Sequence, residues 1–170
     1  MKKLLSVLIV ACLIFSINCT KVDNKEHPVC CVLPQPAAFI FAQKNGVSWS
    51  AIAYNAAIVQ DSLKITGHMD DTEVLGITIK YNGTGQYTLT GNQVYYHNTT
   101  SPMVALVNLS NYTLDNTAAN TLSISNYDSS ANTVSGTFSI VLTKTYGAPN
   151  TGFPQNINFL NGNFKLPLAK

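Results

Sequence analysis

The sequence predicts an all-β fold, an antiparallel β-sandwich or small β-barrel of about nine to ten short strands. Three observations carry that prediction. Runs in which apolar and polar residues alternate follow one another from Ala38 to the C-terminus. Asn, Gly and Asp stand at nearly every break between them. No segment of the body sustains the 3.6-residue apolar period of an amphipathic helix.

The 170 residues suffice for one domain, and an apolar content of 46 % can fill a core. Charged side chains make up only 11 %, and every basic residue is Lys. Arg supplies the fork that grips phosphates and base edges, so its absence argues against nucleic-acid binding. Polar duty falls on Asn, Thr and Ser, which make a neutral, hydrogen-bonding surface.

Residues 1–18 read as an export leader. Lys2 and Lys3 precede "LLSVLIVACLIF", an apolar run too short to span a bilayer and abruptly ended. No small-x-small cleavage site follows, but "SINC" places Cys19 at the end of the run and resembles a lipobox, where a bacterial lipoprotein is diacylated on Cys and cleaved just before it. Ser16 and Asn18 depart from the usual lipobox residues, and "IVAC" at Cys12 fits them better. Cleavage there would leave an apolar run of about eight residues and an apolar mature terminus, so position favours Cys19 as the lipidated residue. Loss of Lys2 and Lys3 leaves eight Lys against eight Asp and Glu, a neutral mature chain.

Residues 19–37 read as a tether. The segment is polar, then studded with Pro28, Pro34 and Pro36, and lacks any period. Its opening, "CTKVDNKEHP", partly resembles the charged segment that directs Bacteroidetes lipoproteins to the cell surface. Cys30 and Cys31 are neighbours; ordinary disulfide geometry does not fit adjacent residues, and their spacing makes a poor zinc clamp. A strained vicinal bond, pairing between molecules and two free thiols all stay open.

The body, residues 38–170, reads as one all-β domain. "FIFAQK-NG-VSWSA" is a hairpin about Asn45-Gly46, which would set Ala42 opposite Trp49 on an apolar face. "SLKIT" and "EVLGITIKY" alternate, the second placing Leu75, Ile77, Ile79 and Tyr81 on one face. Two short strands are expected over 86–90 and 93–98, a weaker one in "MVALVNL", and two more in "TLSISNY" and "TVSGTFSIVLTKTY". "NINFL-NG-NFKLPL" reads as a second Asn-Gly hairpin.

Over about residues 38–168, "FAQKNGVSWSA", "LKITG", "GTGQYTL", "LSISNYDSSANTVSGTFSIVL" and "NGNFKLPL" are similar, in this order, to the small Bacteroidetes lipoproteins built on a single domain of unknown function. The resemblance implies an exported β-domain anchored at Cys19. Its motifs are turns and core alternation and transfer no catalytic residue.

"GHMDDTE" gathers His68, Asp70, Asp71 and Glu73, the one dense patch of ionisable groups in the body. It is a weak metal candidate: it lacks the spacing of a calcium loop and equally suits a solvated turn. Tyr95, Tyr96 and His97, with Tyr54, Tyr87, Tyr112 and Tyr146, offer aromatic faces to a glycan or serve as ordinary strand residues. Three scattered His, no nucleophile elbow and no Arg argue against an enzyme. "DSL" fits a short O-glycosylation pattern that would modify Ser62.

The expectation is a monomeric, non-enzymatic binding or structural domain at the outer membrane. It needs no cofactor, is held to the membrane by its N-terminal lipid with the periplasmic and the cell-surface face both open, and has a glycan or envelope protein as partner. The alternatives are a calycin-like barrel around a small apolar ligand, and a metal-dependent hydrolase at "GHMDDTE".

Overall fold

The computed structural model describes residues 38–101 and 106–169, within the compact unit Pro36–Lys170. Cys12, Cys19, Cys30, Cys31 and the tether lie outside the described residues.

Eleven strands follow one another: β1 (Phe39–Lys44), β2 (Val47–Ser50), β3 (Ala53–Val59), β4 (Ser62–His68), β5 (Glu73–Lys80), β6 (Gly85–Thr88), β7 (Val94–Thr99), β8 (Asn108–Leu114), β9 (Thr121–Asp128), β10 (Thr133–Gly147) and β11 (Asn156–Pro167). The all-β expectation holds. The form is a single antiparallel sheet curled into a half-barrel. Its main path runs β2-β1-β11-β10-β8-β7-β5-β4-β3, and β6 joins through β9 to β10.

The two ends of that path are consecutive in the chain. Between them the Ala51 amide donates to Ile40 on β1 at 2.9 Å, and the next amide, Ile52, donates to His68 on β4 at 2.8 Å. Successive amides of an extended chain point to opposite sides. The β2–β3 corner therefore draws the two flanks of the curl together.

The first hairpin forms in the register its turn dictates, Lys44 opposite Val47 and Ala42 opposite Trp49, with positive φ at Asn45 and Gly46. Asn45 also clasps β11: its Oδ1 accepts from the Asn158 amide at 2.9 Å, and Asn158 Oδ1 accepts from the Asn45 amide at 3.0 Å.

Two strand assignments need correction. Asn161-Gly162 does not turn the chain, because β11 continues through it and pairs with β1 on one flank and β10 on the other. The positive φ of Asn161, 52°, serves a β-bulge instead. The strand sought in "MVALVNL" begins only at Asn108 and runs to Leu114.

The inward faces of the strands make one core. Trp49, Phe159, Phe164, Leu63, Ile79, Leu122, Ile140 and Leu142 are all buried to within 2 %. Trp49 and Tyr96 each meet Phe159 edge-on, with ring centroids 5.3 Å apart, the arrangement that the ring quadrupoles favour.

Candidate functional site

Along β5 the inward residues are Leu75, Ile77 and Ile79, and period two puts Glu73 on the same face. Its carboxylate is buried and fully engaged. Trp49 Nε1 donates to Oε2 at 2.8 Å, Tyr96 Oη donates to Oε1 at 2.6 Å, and Lys44 Nζ forms an ion pair with the same Oε1. Lys44 Nζ also donates to Tyr96 Oη at 3.0 Å. Inward polar residues on β7 and β8 extend the string: Tyr96 Oη lies 3.2 Å from Asn98 Oδ1, and Asn98 Nδ2 donates to Ser110 Oγ at 2.8 Å.

Burial, reinforced by the Glu73 carboxylate, drives the Tyr96 hydroxyl far above the usual phenol range. Every member has a partner: among the described residues no buried side-chain nitrogen or oxygen is left unbonded. A carboxylate with both oxygens occupied and a cation beside it acts as a clamp between β1–β2 and β5–β7 rather than as an acid or base facing a substrate.

The other members of "GHMDDTE" go elsewhere. Asp70 Oδ1 accepts from the Thr72 amide and hydroxyl, both at 2.7 Å, and from the Glu73 amide at 2.9 Å, capping the turn into β5. The Thr72 hydroxyl bond is the main reason its carboxyl lies below the usual range. Asp71 is exposed. His68 sits on the outer face of β4, opposite Val74. The four weak metal candidates are thus dispersed, and among the described residues no three His, Cys, Asp or Glu side chains are grouped to hold a metal.

The interior, where a carried apolar ligand would sit, is filled. Trp49, Phe138 and Phe159 are 1 %, 4 % and 0 % exposed and belong to the one core cluster.

Residues 36–166 match the model of a family described only as a domain of unknown function, DUF6252. The chain belongs to the DUF6252 family. Separate searches of curated proteins and of solved structures found no match. The DUF6252 region runs from just before β1 to the penultimate residue of β11, so the clamp and both outer faces described next lie inside it.

Strand parity, and for Tyr54 the place of β3 at the end of the sheet path, divides the predicted aromatic residues of the DUF6252 domain between interior and surface. Tyr96 and Tyr112 turn inward and are buried; Tyr87 packs partly against the core. Tyr95, Tyr54 and Tyr146 are 42 %, 38 % and 46 % exposed. Tyr95 and His97 lie side by side on the outer face of β7, ring planes within 9° and centroids 5.8 Å apart. Pairing carries a polar row across them: Asn55, Thr66, Gly76, Tyr95 and Thr113 stand opposite one another on five successive strands. Burial, with a smaller contribution from nearby His68, pushes the His97 imidazole below its ordinary value.

A second outer feature lies where β9, β10 and β11 meet. Thr121, Thr137, Ser139, Leu160, Asn161 and Asn163 line an open groove of about 440 Å³ around the β11 bulge. Sequence reading missed both this groove and the role of Lys44. The clamp left one usable signal: Glu73, Asn98 and Ser110 share strand parity with core residues.

Proposed function

We propose that this chain is a lipid-anchored protein of the cell envelope, held at the outer membrane through Cys19, whose DUF6252 domain is a non-enzymatic binding module. The filled interior carries the binding part of this reading. With Trp49, Phe138 and Phe159 occupying the core and the Glu73 carboxylate consumed by its own neighbours, recognition is left to the outer surface. That surface is rich in Asn, Thr and Ser and presents exposed Tyr side chains, which suits a neutral partner such as a glycan or an uncharged patch on an envelope protein.

The anchor rests on the leader and on "SINC". A tether of Pro-containing chain at roughly 3 Å per residue would hold the domain up to about 50 Å from the bilayer, as a surface-facing binder requires. Palmitate labelling in growing cells, followed by separation of inner and outer membranes, tests it. Label on the wild-type chain in the outer-membrane fraction, lost in Cys19→Ala and kept in Cys12→Ala, is expected. Label lost only in Cys12→Ala, or an unlabelled chain in the soluble fraction, would overturn the assignment.

A further inference from the structure

We propose that the groove at the β11 bulge is a binding site for a neutral carbohydrate. This rests on the reading of the chain as an envelope binding protein and names what it binds and where. The groove is a product of backbone geometry. Phe138 pairs with Gly162 and Ile140 with Phe159, so Leu160 and Asn161 together oppose the single residue Ser139. A Cβ on Gly162 would lie 2.5 Å from the Phe138 ring, so only glycine lets β11 settle against β10 beside the extra residue. The extra residue bends β11 locally and opens a concavity beside β10. Its volume, about 440 Å³, lies within the range of small-molecule sites, about 300–1,000 Å³.

The lining has the chemistry of a polyol receptor. The hydroxyls of Thr121, Thr137 and Ser139 have no hydrogen-bond partner among the described residues. Each can both donate and accept, as sugar hydroxyls do. The amides of Asn161 and Asn163 are held by their nitrogens, Asn163 Nδ2 donating to the Asn161 carbonyl at 2.9 Å and Asn161 Nδ2 to Gln43 Oε1 at 3.3 Å. Their Oδ1 atoms remain as positioned acceptors. Apolar surface for the C–H face of a sugar ring comes from Leu160, which is 39 % exposed.

Two other ligand classes fit poorly. No charged side chain lines the groove, so it offers an anion no counter-charge. A peptide adding as a strand needs an open sheet edge. Here β10 is paired on both flanks by β9 and β11, and β11 by β10 and β1, so neither strand presents an open edge. Recognition must come from side chains, and those present are hydroxyls and amides.

The test uses the full-length chain in detergent micelles with maltose, cellobiose, lactose, mannobiose and N,N′-diacetylchitobiose as probes. Saturation-transfer NMR screens them and titration calorimetry measures any that respond. Binding of at least one is expected, with affinity falling at least about fivefold in Thr137→Val and in Asn163→Ala, as loss of about one hydrogen bond implies. Thermal melting of both variants should match wild type, and Tyr95→Ala should bind as wild type does. No response to any probe would overturn the groove while leaving the Cys19 anchor standing. Binding abolished by Tyr95→Ala but kept in both groove variants would also overturn it, and would place recognition on the β5–β7 face with the envelope-binding reading intact.

Discussion

Lys44 on β1 and Glu73 on β5 form an ion pair between two strands that are not neighbours in the sheet. The same carboxylate takes hydrogen bonds from Trp49 on β2 and Tyr96 on β7, so four strands converge on one charged group near the Asn45-Gly46 turn. Hydrogen-bonded ladders join neighbours only; this contact ties strands across the curl.

Removing the cation should therefore cost more than removing the pair. Lys44→Met is expected to destabilise the domain by about 2–3 kcal/mol, because it leaves a largely buried carboxylate without its counter-charge. Lys44→Met with Glu73→Gln should lose less than the sum of the single changes. Urea unfolding followed by Trp49 fluorescence gives the three values, and strict additivity would contradict the clamp.

The far edge of the Tyr95 ring stands where a side chain on Gly76 would have to be. A Cβ there would lie 2.2 Å from ring carbons Cε1 and Cζ. Gly76→Ala should cost about 1–3 kcal/mol by forcing the ring aside. Tyr95→Ser should relieve most of that cost when combined with it, which a double-mutant cycle on melting curves would measure.

The lowered imidazole of His97 makes stability depend on pH in a defined direction. Above its ordinary value of 6.5 the ring is neutral in both folded and unfolded chains, and the folded state carries no penalty. As pH falls below 6.5 the unfolded chain takes up the proton first, so stability drops until the folded ring also protonates, then levels off. His97→Gln should flatten that part of the stability–pH curve. NMR titration of the ring in the folded protein should show a midpoint below 6.5, rising in His68→Gln.

Asn120 is 1 % exposed and holds the connection between β8 and β9. Its Nδ2 donates to the Asp115 carbonyl at 2.7 Å, and its Oδ1 accepts from the Val141 amide at 2.7 Å. Asn120→Ala strands a buried amide and a carbonyl and should cost about 2–3 kcal/mol. Hydrogen exchange should rise at Val141, the amide that loses its acceptor, more than at Leu142.

Much of the fold was legible because its signals are local. Asn45-Gly46 makes a hairpin wherever two strands of matching parity flank it, and "EVLGITIKY" alternates plainly. The same dipeptide at Asn161-Gly162 misled because its outcome is decided at a distance: β1 and β10 hold both halves of β11 in line, and the positive φ is spent on a bulge. Strand β3 was overlooked since Ala occupies both of its faces, and its turn to β4 uses Gln60 and Asp61 at positive φ without a glycine. Of the candidate sites, Glu73 could have been placed inward from the parity of Leu75 and Ile77. Its partners could not, because Lys44, Trp49 and Tyr96 reach it only through the curl. Thr121, Thr137 and Asn163 meet through strand register, which no short motif encodes.

The corner at Ala51 and Ile52 also governs how the molecule meets copies of itself. By handing one amide to β1 and the next to β4, it sets the two end strands of the sheet, β2 and β3, next to each other in the chain. β2 and β6 are four residues each, and part of the outer side of β3 is taken where the Ala56 carbonyl accepts the Ala169 amide at 2.7 Å. Exposed strand edges are the usual template for runaway sheet extension, and short ones template poorly. Molecules crowded at high density on one surface would find only short runs of free backbone on β2 and β6, and on β3 a run interrupted at Ala56, with which to knit together.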